Sequence, residues 1–218
     1  MNRFYTKTGL NGTTQGSVVS LCIVHSPSTQ DSANQQIRSA TLAYWFPMRV
    51  TYHRELKIKL LLDELGIENF LPMHYELVET KTGGKKSVLT PAIHNLLFVH
   101  STQERLTELK MTREELSPMR YIMKRSLDKQ REILTVPDQQ MDNFMRVASV
   151  QDDRVMFLDC NSFINKIGQR VKIIDGFFAG VEGVIKRINK NKRVVVQLEG
   201  LAAVAIAFIP SSQLTLIQ

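Results

Sequence analysis

Residues 168 to 218 alternate apolar and polar side chains in short runs, and every local signal in this region favours β-strands. Val171 and Ile173 alternate with charged neighbours, and "RVVVQLEG" (193–200) and "AVAIAFI" (203–209) continue the pattern. Glycine-rich or basic turns separate the runs. About five short strands with one apolar face predict a small all-β barrel.

The turn "DGFFAGVEGVIKRI" (175–188) places two adjacent phenylalanines among three glycines. Glycine permits sharp corners and close approach of the backbone, while aromatic side chains provide core or contact surface, so the turn is either a barrel corner or a contact loop. Adjacent side chains of an extended chain point to opposite sides. We therefore expect one of Phe177 and Phe178 to enter the core and the other to remain at the surface.

Residues 41 to 150 combine strand and helix signals, which predicts an α+β domain. "LAYWFPMRV" (42–50) and "AIHNLLFVH" (92–100) are apolar and β-prone, and "PDQQMDNFMRVAS" (137–149) has the period of a helix that begins after proline. "HRELKIKLLLDELG" (53–66) also has a helical period and ends in a glycine cap. Its predicted apolar face consists of Leu56, Leu60, Leu61 and Leu65.

The flanking segments carry weaker signals. Residues 1 to 40 are rich in polar residues and show no sustained period, which predicts a disordered extension. Residues 151 to 167 interrupt the period and are predicted to be a linker, although "VMFLD" (155–159) can instead add a strand to the first domain.

The formal net charge of +7 is unevenly distributed. Residues 41 to 159 carry 17 basic and 17 acidic residues, whereas residues 160 to 218 carry eight basic and three acidic residues, a difference of +5. This excess favours a partner surface on the C-terminal part, although a surface kept soluble by lysines has the same composition. The basic residues cluster on two predicted hairpins: Lys124, Arg125, Lys129 and Arg131 on one, and Lys186, Arg187, Lys190, Lys192 and Arg193 on the other.

Several classes of protein are disfavoured by what the sequence lacks. No run of about 18 apolar residues predicts a membrane-spanning helix, and Cys22 and Cys160 lack CxxC spacing, so the expected compartment is a reducing cytoplasm. The five histidines show no metal-binding motif, and we expect them to be solvated or hydrogen-bonded. No phosphate loop, G-x-S-x-G or carboxylate constellation is present, so we expect no enzyme activity, catalytic residue, metal or cofactor.

The segment "IGQRVKIIDGFFAGVEGVIKRINKNKRVVVQLEG" (167–200) resembles a KOW domain, an SH3-like barrel. The pattern of that family is a strand, G-x-F-A-G-x-x-G, a second strand, a basic turn and a third strand. Its motif positions are matched by Gly176, Phe178, Ala179, Gly180 and Gly183. Since Phe178 is the motif residue, the resemblance makes Phe177 the candidate contact with a partner.

Upstream, "YWFPMRVTYHRELKIKLLLDELGIENFLPM" (44–73) resembles the first strand and helix of the NusG N-terminal domain. "HNLLFVH" (94–100) lies where that family has P-G-Y-V-F-V or P-N-Y-L-F-V. The resemblance to the NusG family covers residues 42 to 218, and "VPDQQMDNFMRV" (136–147) is similar to the UpxY-type paralogues, antiterminators of capsular polysaccharide operons. "RLTEL" (105–109) replaces the His-Thr-Thr stretch with which specialised relatives contact the polymerase β subunit, so that contact is not carried over.

The resemblance implies a monomeric transcription elongation and antitermination factor that binds the coiled coil of the RNA polymerase β′ clamp and suppresses pausing and termination. An apolar concavity would receive the helical tip. The candidate contacts are Trp45, Phe46, Ile93, Leu96, Phe98 and Tyr121. Ordinary core packing explains the same residues, because alternation directs about half of them inward.

The two basic hairpins have separate implied partners. In relatives, the side of the domain that carries residues 124 to 131 lies near non-template DNA, and a cationic tip there attracts phosphates, although a solvated loop has the same composition. The KOW resemblance implies a ribosomal protein, the Rho termination factor or RNA as the partner of the second hairpin. A general NusG-like factor and a KOW-containing RNA-binding protein of ribosomal type remain the alternatives.

Overall fold

A computed structural model describes residues 42–80, 83–125, 130–152, 154–158, 168–188, 191–198, 200–207 and 209–217. All of them lie in one compact unit that spans residues 38 to 218. The predicted extension (1–40) and most of the predicted linker lie outside the described residues. No helix in the described part of the chain is long and apolar enough to cross a membrane.

Three α-helices and fourteen strands are assigned within these residues. The helices are α1 (Glu55–Glu64), α2 (Gln103–Thr112) and α3 (Asp138–Ala148). The strands are β1 (Tyr44–Val50), β2 (Asn69–Phe70), β3 (Met73–Glu79), β4 (Lys85–Pro91), β5 (Leu96–Ser101), β6 (Met119–Tyr121), β7 (Met123–Arg125), β8 (Arg131–Ile133), β9 (Val155–Leu158), β10 (Arg170–Ile173), β11 (Glu182–Ile188), β12 (Asn191–Leu198), β13 (Ala202–Ile206) and β14 (Leu214–Leu216). The predicted mixture of α and β elements, with a β-rich C-terminal part, is confirmed.

The first sheet has four antiparallel strands in the order β2-β5-β1-β6. Trp45 lies opposite His100, and Phe46 lies opposite Val99. Successive side chains alternate between the faces of a strand, and both faces of β1 and β5 are largely buried. The continuous apolar runs of these strands therefore reflect a sheet that is covered on both sides.

Helices α1 and α2 cover one face of this sheet. Ile58 and Leu62 of α1 and Leu106 of α2 belong to one buried cluster with Phe46 and Leu97. Burial of apolar surface contributes about 25 cal/mol per Å², so this cluster holds the helices against the sheet.

The buried face of α1 agrees only in part with the predicted one, because Leu61 and Leu65 pack against the core but are partly buried. Leu56 and Leu60 are exposed, whereas Ile58 and Leu62 are fully buried. Apolar residues occur on several sides of this helix, so a helical period alone does not select the face that packs. Gly66, with φ of 64°, follows the helix in the left-handed conformation that the sequence predicts for its end.

The second sheet has six antiparallel strands in the order β14-β10-β11-β12-β13-β9. Five of its strands come from the predicted barrel region, but β9 comes from the predicted linker. In the pairing of β9 with β13, Phe157 lies opposite Val204. Val155–Leu158 thus extends the second sheet, so these four residues are neither part of a linker nor an added strand of the first domain.

Helix α3 packs between the two sheets. Phe144 makes ring contacts with Phe98 of β5 and Phe70 of β2, with ring centroids 5.8 and 6.3 Å apart respectively. The same buried cluster contains Val194 and Val204 of the second sheet. One apolar core therefore joins α3, the uncovered face of the first sheet and the inner face of the second.

Two hairpins stand outside both sheets. Strands β3 and β4 form a seven-residue antiparallel ribbon whose side chains are mostly exposed, and β7 and β8 form a short one. The exposed side chains of the first ribbon include Tyr75 and Leu77. The basic residues of the short ribbon lie at its surface.

Candidate functional site

The six residues predicted to contact RNA polymerase lie on different surfaces of the first sheet. Trp45, Leu96 and Phe98 are buried beneath α3, and Phe46 is buried on the opposite face beneath α1 and α2. Ile93 and Tyr121 are partly buried at the edge of these clusters. In this arrangement the four buried side chains are core residues, and no partner can reach them unless their covering helices move.

Tyr121 is the most polar of the six candidates. Its hydroxyl oxygen lies 3.0 Å from the Oγ1 of Thr107, and Lys110 Nζ lies 4.4 Å from the centre of its ring. Burial raises the pKa of the Tyr121 phenol, and burial also lowers the pKa of the Lys110 ammonium group. A phenol held neutral by burial acts here as a hydrogen-bonding and packing group.

The hairpin of β11 and β12 places like charges directly opposite one another. Lys186 faces Arg193, and Arg187 faces Lys192. Lys186 is only 6% exposed, and its Nζ donates a hydrogen bond to Gln197 Oε1 at 2.9 Å. Like charges at directly opposed positions destabilise a pair of strands, and Arg187 and Lys192 are the opposed pair that is exposed on this hairpin.

Arg193, which lies opposite Lys186, has a buried donor without a partner in the described part of the chain. Its Nε is buried and has no hydrogen-bond partner among the described residues. A buried donor without a partner is uncommon because it loses its hydration without compensation. Lys190, the fifth cation predicted for this surface, lies outside the described residues.

The β7–β8 hairpin repeats this arrangement on a smaller scale. Arg125 faces Arg131 directly, and both are exposed. Lys124 faces Glu132, with 3.7 Å between Nζ and Oε2. An exposed ion pair of this kind stabilises a protein by only about 0–1 kcal/mol. Glu132 therefore neutralises little of the positive charge of this hairpin. Lys129 lies outside the described residues.

The glycine-rich turn between β10 and β11 separates its two phenylalanines as expected. Phe178 is buried in the core of the second sheet, whereas Phe177 is 71% exposed. Gly176 and Gly180 have φ of 86° and 90°, which other residues rarely adopt, so the glycines are needed for the tight corner. Phe177 is an exposed aromatic side chain beside the cationic hairpin in sequence, as a partner contact requires.

Sequence reasoning missed one cluster of possible metal ligands. His53, Glu55 and His94 bring ligand atoms within 4.8 Å of one another. His53 and Glu55 are two positions apart in sequence, whereas His94 lies in the turn before β5, which the pairing of β1 with β5 and a hydrogen bond to Glu55 place beside them. The spacing of His53 and Glu55 alone matches no metal motif, so no local signal reveals the cluster.

Sequence reasoning also missed the polar contacts that join α3 to the second sheet. Arg146 Nη2 donates a hydrogen bond to the carbonyl oxygen of Ala179 at 2.7 Å. Asn143 is buried, and its Oδ1 accepts a hydrogen bond from the backbone N–H of Glu182 at 3.5 Å. These bonds fix the glycine-rich turn against the helix.

Comparison with known proteins gives no assignment, because neither a protein-family model nor a curated protein matches this chain.

Proposed function

We propose that this chain is a NusG-like transcription elongation and antitermination factor that binds RNA polymerase and suppresses pausing and premature termination. The observation that supports the proposal most is the turn of residues 175 to 183. It has the KOW-like pattern, buries Phe178, exposes Phe177 and follows an α+β region whose strand and helix resemble the NusG N-terminal domain. Long polysaccharide-biosynthesis operons are the proposed targets.

The burial of the apolar candidates divides the proposed contacts into two sets. Trp45, Leu96 and Phe98 can bind a helical tip of the polymerase only after α3 moves away from them. The exposed cations Arg125 and Arg131 require no such movement. We propose that this hairpin makes the nucleic-acid contact, because an opposed pair of guanidinium groups attracts phosphates.

In vitro elongation with purified bacterial RNA polymerase tests the proposal. The full chain is expected to increase read-through at a terminator and to be retained by immobilised polymerase. The proposal is wrong if the chain neither binds polymerase nor changes read-through. Transcript coverage across long operons, with and without the protein, then distinguishes a general factor from a dedicated one.

The nucleic-acid contact is tested by the double substitution Arg125→Glu and Arg131→Glu. Loss of two contacts with single-stranded phosphates is expected to reduce the slope of log affinity against log salt by about 1.4. The matched control is Lys85→Glu with Lys86→Glu on the exposed ribbon, which changes the net charge equally. If both variants weaken binding to the same extent, the effect comes from overall charge and the proposed contact is wrong.

A second candidate function is binding of structured RNA in the manner of ribosomal KOW proteins. The exposed cations Arg187 and Lys192, which lie directly opposite one another on the β11–β12 hairpin, favour it, because they form a cationic surface on the second sheet. This function predicts that the full chain binds structured RNA without polymerase. It also predicts that Arg187→Glu weakens that binding and that neither the wild-type chain nor this variant is retained on polymerase.

A further inference from the structure

We propose that His53, Glu55 and His94 bind a divalent transition-metal ion, with Zn²⁺ the best fit. Their ligand atoms all lie within 4.8 Å of one another. At metal–ligand distances of about 2.1 Å, neighbouring ligand atoms of a tetrahedral site are roughly 3.3 Å apart. The ligand atoms must therefore move closer together for an ion to bind. Small rotations about the side-chain torsions of the two exposed histidines shorten these distances.

Glu55 provides the fixed element of the site. It is 2% exposed, and one carboxylate oxygen accepts a hydrogen bond from the backbone N–H of Asn95 at 2.6 Å. Among the described residues this is the only hydrogen bond to that carboxylate. This hydrogen bond orients the carboxylate and leaves its remaining lone pairs available to a cation. Metal ligands are commonly held in this way by a hydrogen bond from a residue that does not itself contact the metal.

The backbone holds the two histidines in place at some cost. Tyr52, His53 and Asn95 all have positive φ, at 65°, 50° and 60°. Residues other than glycine rarely adopt this conformation, and it persists where the surrounding structure enforces it, which is common at ligand-binding sites. His53 is itself a proposed ligand, and Tyr52 and Asn95 lie directly beside the two histidines, in the loop before α1 and in the turn before β5.

The ligand types select the class of metal. Two imidazoles and one carboxylate suit Zn²⁺ and its transition-metal neighbours, whereas Mg²⁺ and Ca²⁺ prefer oxygen ligands alone. The exposure of His53 and His94 leaves the remaining coordination position open to water or to a ligand from a partner. A bound ion would also connect the loop before α1 to the turn before β5.

Titration of the full chain with Zn²⁺, monitored by calorimetry, tests the site. Metal analysis after dialysis measures how many ions remain bound per chain. We expect one Zn²⁺ per chain and a higher Tm in its presence, because a ligand that binds only the folded state stabilises it. Substitution of a residue that only hydrogen-bonds to a metal ligand weakens metal binding by about 10–100-fold. His94→Ala removes a ligand itself, so it is expected to weaken Zn²⁺ binding at least as much. Mg²⁺ is expected to give no shift in Tm.

Two further variants separate this site from binding by surface histidines in general. Glu55→Gln keeps an oxygen acceptor for the Asn95 N–H but removes the charge, so it is expected to weaken Zn²⁺ binding in a folded protein. His100→Gln disrupts a histidine–carboxylate pair with Glu68, whose atoms lie 2.7 Å apart, and is expected to leave binding intact. Equal affinity in the wild-type protein and His94→Ala, or loss of binding in His100→Gln, overturns the proposal.

Discussion

Truncation of Phe144 to alanine tests whether α3 joins the two sheets into one cooperative unit. The ring of Phe144 is fully buried and contacts Phe98 and Phe70 of the first sheet. Removal of a buried phenylalanine ring costs about 3–5 kcal/mol, through lost apolar burial and the cavity that remains. For a unit of this size each kcal/mol lowers Tm by about 2–4 °C, so Tm is expected to fall by roughly 6–20 °C.

Hydrogen exchange of backbone amides measures the effect on each sheet separately. Because α3 packs on both sheets, the free energy of opening is expected to fall equally for amides of β5 and of β12. Asp142→Ala, at an exposed position of α3, is the control and is expected to change stability by less than about 0.5 kcal/mol. If amides of β12 keep their protection in Phe144→Ala while those of β5 lose theirs, α3 belongs to the first sheet alone and the reasoning is refuted.

Three further predictions concern single side chains. Burial raises the pKa of the Tyr121 phenol in the folded protein. The neutral phenol therefore contributes its full stabilisation below the ordinary pKa of about 10, and this stabilisation is lost as the pH rises through the pKa of the folded state. Tyr121→Phe is expected to remove this alkaline loss, and alkaline melts of both proteins measure it; parallel curves would contradict the assignment. A Cβ at Gly183 would lie 2.8 Å from the carbonyl oxygen of Val195. Gly183→Ala is therefore expected to lower the free energy of unfolding, measured with denaturant, by about 1–3 kcal/mol. An unchanged free energy would contradict that close approach. Phe177→Ala is expected to change stability by less than about 0.5 kcal/mol and Phe178→Ala to cost about 3–5 kcal/mol; equal effects would show that the turn does not separate the two rings.

Much of the fold is predictable from the sequence because it depends on local patterns. Strand β1 and helix α3 lie within the predicted segments and β5 extends one residue beyond its segment, since long apolar runs and a clear helical period mark them. The separation of Phe177 from Phe178 also follows from a local rule, because adjacent side chains of a chain tend to point to opposite sides.

The rest depends on contacts between segments that are distant in sequence. The packed face of α1 is set by the sheet beneath it, and the partner of β9 is set by β13, which lies over forty residues later. His94 reaches Glu55 because β5 pairs with β1 and the turn before β5 hydrogen-bonds to that carboxylate. A sequence window contains none of these long-range relations, so periodicity and motif spacing cannot supply them.

The position of α3 also limits how this protein can evolve by exchange of segments. Residue 150 looks like a natural crossover point, because an α+β region ends there and a β-rich region follows. A recombinant joined at that point inherits an α3 whose Asn143 and Arg146 were fitted to the turn before β11. A new C-terminal half must therefore offer a matching backbone carbonyl and N–H as well as an apolar face. A crossover before Pro137 keeps these two bonds, because α3 is then inherited with the second sheet, but it places the contacts of Phe144 with Phe98 and Phe70 across the junction.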